Sequence, residues 1–234
     1  MLLWIVMRNL KFIKGEYYHI YNRGVDKRTV FEDEGDLNRF FLSMLAFNSH
    51  LAIGSIYEKY FAKKQTPFGS RASKLKKDKR LVEFVAYCFN PNHYHLLLTP
   101  LEDASVSTFM QKLGTGYTKY FNEKHTRTGS LFQGKFKAVH IDTNEQLLHV
   151  SSYVNLNFKV HNLHQFGSRA SKLVRSSWEE YVEDNDGICD KDIVLGQFKN
   201  PKEYKKLAEE TVMEIRRGRQ EDRIDDDDKK CLLE

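Results

Sequence analysis

The chain has 234 residues, 41% hydrophobic and 13% aromatic, enough to bury one substantial core with appendages. Its 37 Lys and Arg against 32 Asp and Glu leave a net charge of +5, a mild bias toward phosphate-bearing partners. No stretch approaches the roughly 18 apolar residues of a membrane span. Three scattered cysteines without zinc spacing argue for a reduced, cytoplasmic chain rather than a disulfide framework.

Residues 1–16 read as a lead-in whose apolar run is too short for a signal core. Residues 17–23 form a strand, and 36–51 carry helical apolar spacing; 53–61 either prolong that helix or add a strand. Arg71, Lys74, Lys76, Lys77, Lys79 and Arg80 follow, a basic run of the kind that is usually a solvated face. Residues 82–89 are β-branched and aromatic, Asn90-Pro91-Asn92 breaks them, and 93–99 resumes, so the two segments form a hairpin. An amphipathic helix over 105–124, a strand over 135–141 and a helix over 145–157 complete the series. Thr143 or Asn144 caps the last helix, and Leu147, Val150, Val154 and Phe158 recur along it at helical spacing. The first six elements make a split βαβ pattern, which predicts an α+β, ferredoxin-like core. That core is an antiparallel four-stranded sheet with helices on one face, and the helix over 145–157 is an addition to it. Residues 164–177 read as a linker and 178–234 as an appendage, with a charged helix over 201–219 and a frayed acidic end at Asp225-Asp226-Asp227-Asp228.

Side chains alternate along a strand, so His93 and His95 point to one face and Tyr94 to the other. Two neutral imidazoles so placed can share a divalent cation. A lone His-x-His is more often a hydrogen-bonded pair on a sheet surface, so a third ligand has to decide the matter. Tyr153 and Asn157 lie four apart on the last helix, offering a phenol that could attack and an amide oxygen that could coordinate. Tyr117 and Tyr120 compete less well. They sit on the amphipathic helix among core positions, and four residues on come Phe121 and Lys124, which complete no metal site. A zinc hydrolase is a weaker reading, because only Glu83 offers a general base and its face is undetermined. Lys112, Lys119, Lys124, His125, Arg127, Lys135 and Lys137 interleave with Tyr117, Tyr120, Phe121, Phe132 and Phe136, which suits a nucleic-acid backbone with unpaired bases.

His93-Tyr94-His95 resembles the His-hydrophobe-His motif of single-tyrosine HUH transposases, the IS200-like family. Tyr153-Val154-Asn155-Leu156-Asn157 resembles the nucleophile helix of their REP-associated branch. Tyr18-His19-Ile20-Tyr21-Asn22-Arg23-Gly24 is similar to the family's first strand, and Gly129-Ser130-Leu131-Phe132-Gln133-Gly134-Lys135-Phe136 to its Gly-x-Leu-aromatic-Gln-x-basic-Phe segment. These motifs keep the family's order within residues 17–163, which the resemblance makes one transposase domain. A departure is Phe158, where the family often has Pro directly after the position of Asn157.

The resemblance implies a metal-dependent nuclease and strand transferase. His93, His95 and Asn157 would hold Mg²⁺ or Mn²⁺, and Tyr153 would attack the scissile phosphate to leave a 5′-phosphotyrosine and a free 3′-OH. The implied partner is single-stranded or hairpin DNA, met by Arg23, Lys112, Lys119, Arg127, Gln133, Lys135 and Lys137. The implied state is monomer or homodimer. A replication-initiator-type nickase and a non-catalytic binder of structured single-stranded DNA are the other readings.

Phe68-Gly69-Ser70-Arg71-Ala72-Ser73-Lys74-Leu75 recurs identically as Phe166-Gly167-Ser168-Arg169-Ala170-Ser171-Lys172-Leu173. Both copies lie in polar stretches without apolar periodicity, unlike a structural repeat. A DNA-level origin fits better: Gly-Ser-Arg-Ala-Ser can be written GGC-TCG-CGC-GCG-AGC, which contains a self-complementary, hairpin-capable run. Copies of a recognised element would then have landed where loops accept insertion. The gene's codons should therefore show inverted symmetry in both copies; unrelated codons without it refute the idea.

Overall fold

The structure, a computed structural model, describes residues 10–51, 80–161, 172–183 and 185–231, with side chains through Arg219. Strand β1 (Tyr17–Arg23) leads through a short turn into helix α1 (Glu34–Phe47), whose N-cap Asp33 accepts from the Asp36 N–H. The hairpin β2 (Val82–Asn90) and β3 (His93–Pro100) follows, then α2 (Ser105–Lys124) and β4 (Lys137–Ile141). Helix α3 (Asn144–Asn155) is capped by Thr143, and the single turn α4 (Asn157–Val160) comes directly after it. Strand β5 (Arg175–Ser176) and helices α5 (Trp178–Val182), α6 (Asp192–Leu195) and α7 (Pro201–Cys231) complete the chain.

All strand pairs are antiparallel, in the order β4-β1-β3-β2-β5. The expected α+β fold with a four-stranded ferredoxin-like sheet is present, with the two-residue β5 added at one edge. Helices α1 and α2 cover one face, meeting Tyr18, Ile20, Tyr94, Leu96 and Leu98. Helices α3, α5 and α7 cover the other, meeting Cys88 and Leu97. Strand β2 is buried along its whole length because it lies under both layers. A bulge between Phe84 and Ala86 resets its alternation: Val82 and Phe84 face the α1–α2 layer before it, Tyr87 and Phe89 after it. The bulged Val85 gives its carbonyl to the Tyr181 hydroxyl at 2.7 Å.

Several boundaries differ from the sequence reading. Helix α1 stops at Phe47 rather than at 51, because Asn48 turns out of it to serve β2. The Asn48 Oδ1 accepts from the Leu81 and Val82 N–H groups, and its Nδ2 donates to the Val82 carbonyl. The helix expected over 145–157 breaks at Leu156 (φ −109°, ψ 18°), so Asn157 opens a separate turn. Helix α7 continues through the acidic run to Cys231, where a frayed end was expected. The stretch 53–61, the basic run 71–79 and all of the repeat except Lys172 and Leu173 lie outside the described residues.

Phe40 is the hub of the α1–α2 layer. Its ring lies 4.8–5.1 Å from those of Tyr117, Phe89 and Tyr94, and it is fully buried. Truncating Phe40→Ala should cost about 3–5 kcal/mol in urea unfolding, whereas Met213→Ala on the exposed face of α7 should stay within about 0.5 kcal/mol. Equal effects would contradict this placement of the core.

Candidate active site

Strand β3 is the middle strand, and its pleat sends Tyr94 against Phe40 and Phe132 while His93 and His95 face the α3 side. The two imidazoles lie 5.2 Å apart by ring centre and nearly perpendicular. Helix α3 lays the Tyr153 ring edge-on over His95 at 5.4 Å and over His19 of β1 at 5.9 Å, all within one chain. Tyr153 is half-buried, so its hydroxyl is reachable.

Hydrogen bonds fix which ring nitrogens are presented. The Nδ1 of His93 stands 2.6 Å from Asn92 Oδ1, an oxygen that can only accept, so Nδ1 carries the proton and Nε2 its lone pair. That Nε2 faces Asn157 Oδ1 at 3.0 Å, two acceptors turned toward each other. Asn90, fully buried at the end of β2, holds them there: its Nδ2 donates to Asn157 Oδ1 at 2.8 Å and lies 3.1 Å from His93 Nε2. The Asn157 Nδ2 and the Asn90 Oδ1 are both buried with no hydrogen-bond partner among the described residues, so this amide pair holds unspent polar capacity beside the histidine. His95 turns Nδ1 to His19 Nε2 at 2.8 Å, which leaves its own Nε2 for another partner.

Two imidazole nitrogens and an amide oxygen make a mixed donor set that a divalent ion can occupy. Neighbouring ligands on an octahedron of about 2.1 Å bonds are about 3.0 Å apart, the separation of His93 Nε2 and Asn157 Oδ1. Among the described residues no group of three or more His, Cys, Asp or Glu converges on a metal position, and the Asn157 amide oxygen is the side-chain oxygen that stands beside His93 Nε2. Burial keeps the imidazoles neutral, the form that can ligate: His93 is lowered to about 4, and His95 well below the ordinary histidine value.

Three neighbours are not evident from sequence pattern: His19 in the first strand, Asn90 at the break of the hairpin, and His161, whose ring lies 4.6 Å from that of His93. Each meets the site through the fold, across 64 residues or more of sequence except for the local Asn90–His93 pair. Tyr117 and Tyr120 lie across the sheet, the first fully buried with its hydroxyl donating to the Val30 carbonyl. Glu83 pairs with Thr99 at the far end of the hairpin from His95 and bonds Arg80.

The anticipated DNA contacts divide. Arg23 lies opposite His93, its guanidinium donating to Gln133 Oε1, and Lys137 stands over the Tyr21 ring beside His95. Lys135 is exposed just before β4. Lys112 and Lys119 belong to α2 on the other face, and Lys112 is occupied by the Ser49 carbonyl. Arg127, past the end of α2, bonds Asn122 and covers Phe121.

Burial also depresses His19 and His161 to about 3. The unfolded chain takes up protons at these positions near pH 6.5 and the fold does not, so stability should fall as pH drops from about 6.5 toward 4. Each group contributes a slope of up to about 1.4 kcal/mol per pH unit. His161→Gln removes one such group, so its urea midpoint should fall less steeply over that window; an unchanged slope would show that His161 titrates normally in the fold.

The signature of the family described as "Transposase IS200 like" matches residues 13–157. No curated protein matches the chain. Among solved structures, one described as the REP-associated tyrosine transposase bound to a REP hairpin is similar at 15% identity and a TM-score of 0.47, over 76% of this chain and 86% of that one. No helix among the described residues is long and apolar enough to cross a membrane. With its signature spanning well over half the sequence and both His93-Tyr94-His95 and Tyr153 inside the match, the chain belongs to the IS200-like transposase family.

Proposed function

We propose that the protein is a single-tyrosine nuclease and strand transferase acting on single-stranded, hairpin-forming DNA, with Tyr153 as nucleophile. The observation that carries this is the edge-on placement of Tyr153 over His95, beside the facing acceptors of His93 and Asn157. His93 Nε2, His95 Nε2 and Asn157 Oδ1 would hold Mg²⁺ or Mn²⁺. Such an ion, when bound, supplies Lewis-acid stabilisation of charge on the phosphate.

The chain's own groups supply positioning and the nucleophile. Asn92 fixes the tautomer of His93, His19 orients the His95 ring through its Nδ1, and Asn90 holds the Asn157 amide. The Tyr153 oxygen forms its bond to phosphorus as the bond to the 3′ oxygen breaks. The phenolic proton passes to water, and the departing oxygen takes one up from water. The phosphodiester is conserved on the protein, so the 3′-OH can reverse the step and join strands without a nucleotide cofactor. Arg23, Gln133, Lys135 and Lys137, on or beside the histidine side of the sheet, are the nearest group for guiding a strand; Lys112, Lys119 and Arg127 would serve flanking DNA. One copy holds tyrosine, histidines and amide together, which supports action as a monomer. In this reading 17–163 is the catalytic domain, 164–177 a linker and 178–234 its cover.

A labelled hairpin oligonucleotide with Mn²⁺ should yield a denaturation-resistant protein–DNA adduct, lost in Tyr153→Phe and on chelation while hairpin binding persists. Adduct retained in Tyr153→Phe and lost in Tyr117→Phe or Tyr120→Phe would overturn the assignment. Binding without any adduct would favour the non-catalytic reading.

A further inference from the structure

Helix α7 reaches the site from outside the residues that carry the family signature, 13–157. Its inward face is spelled by Tyr204, Ala208, Val212 and Ile215, at helical steps of four, four and three. Tyr204 pins the helix on α3: its hydroxyl donates to Ser151 Oγ at 3.2 Å and accepts from Asn155 Nδ2 at 2.9 Å, at positions that bracket Tyr153. Asn155 in turn accepts from Ser177, so the clamp is buried and satisfied. A further step of four from Ile215 is position 219, where one more apolar residue would finish the stripe. The residue there is Arg219, and its Nη2 stands 3.5 Å from the Tyr153 hydroxyl oxygen.

That charge enters a centre of neutral groups. His93, His95 and His161 are uncharged in the fold, and the Arg219 charge contributes to holding all three low. Asn90 and Asn157 bring no charge. A phosphodiester arriving at Tyr153 carries one negative charge, and more builds on its non-bridging oxygens during attack. A guanidinium is permanently charged and offers planar, paired donors to such oxygens. Arg219 is exposed, so a strand can reach it without unfolding α7.

We propose that Arg219 is a catalytic residue of the reaction put forward above, gripping the scissile phosphate beside Tyr153 as the phenolic oxygen attacks. Bonds and protons balance as in that reaction, since the guanidinium neither gives nor takes a proton. The inference rests on the Tyr153 nuclease reading and assigns a role to a helix beyond the family signature.

The test uses the full chain with a labelled hairpin oligonucleotide and Mn²⁺, comparing Arg219→Ala and Arg219→Lys with the unaltered protein. Adduct formation should slow about 100-fold in Arg219→Ala, the size seen when one preorganised donor to a developing oxyanion is lost. Arg219→Lys should recover part of the rate, keeping the charge but not the fork. Hairpin affinity should change by less than about threefold, because many phosphate contacts share it. Melting temperature should not move. An Arg219→Ala rate equal to or above that of the unaltered protein overturns the proposal and leaves Arg219 as a latch of α7 over the site. A fall in rate matched by an equal loss of affinity or melting temperature also overturns it. If the unaltered protein forms no adduct, the nuclease reading itself fails and takes this inference with it; adduct formation that is insensitive to Arg219 sinks only the inference.

Discussion

The pleat of β3 governs the arrangement on both sides of the sheet. Tyr94, Leu96 and Leu98 enter the aromatic layer under α1 and α2, and His93, His95 and Leu97 turn toward α3. A register slip of one residue would drive both imidazoles into the Phe40 cluster and push Tyr94 into the site. The register is held from both neighbours, by β1 from Arg23↔His93 to Tyr18↔Leu98 and by β2 through the tight turn at Pro91-Asn92. The histidine face is thus set by the same alternation that builds the core.

Electrostatics follow from burial more than from paired charges. The imidazoles lose solvent and stay neutral; Asn92 sets the proton of His93, and His19 orients the ring of His95. The carboxylate-rich network of this protein lies elsewhere: buried Asp36 receives Lys124, His125 and the Glu32 N–H on the far side of the sheet, where it organises the start of α1. Among the described residues, the carboxylates of this network thus lie across the sheet from the paired histidines.

Much of this was legible in the sequence, because period-two and period-3.6 patterns are local. The shared face of His93 and His95, the hairpin, α2 and the place of Tyr117 in the core all follow from spacing. The break at Leu156 was not legible, since 145–158 keeps its apolar repeat across the joint and Phe158 stands where the family's frequent proline would have marked it. The Asn48 bonds that end α1 and the Asn90 grip on Asn157 were hidden for another reason. An asparagine's partner is chosen by tertiary neighbours, 33 and 67 residues away in these cases. The return of α7 to Tyr153 was likewise unreadable, although its stripe from Tyr204 to Ile215 announces a buried face.

The joint at Leu156 has a mechanical side. On an unbroken helix, a phenol and an amide four positions apart would rotate as one body, and any swing of the tyrosine would drag the amide oxygen off His93. Here the two ride on separate segments. The amide is anchored to the strand by Asn90, and the phenol to the helix held by Tyr204. Movement of the ring can therefore leave the amide oxygen in its place beside His93.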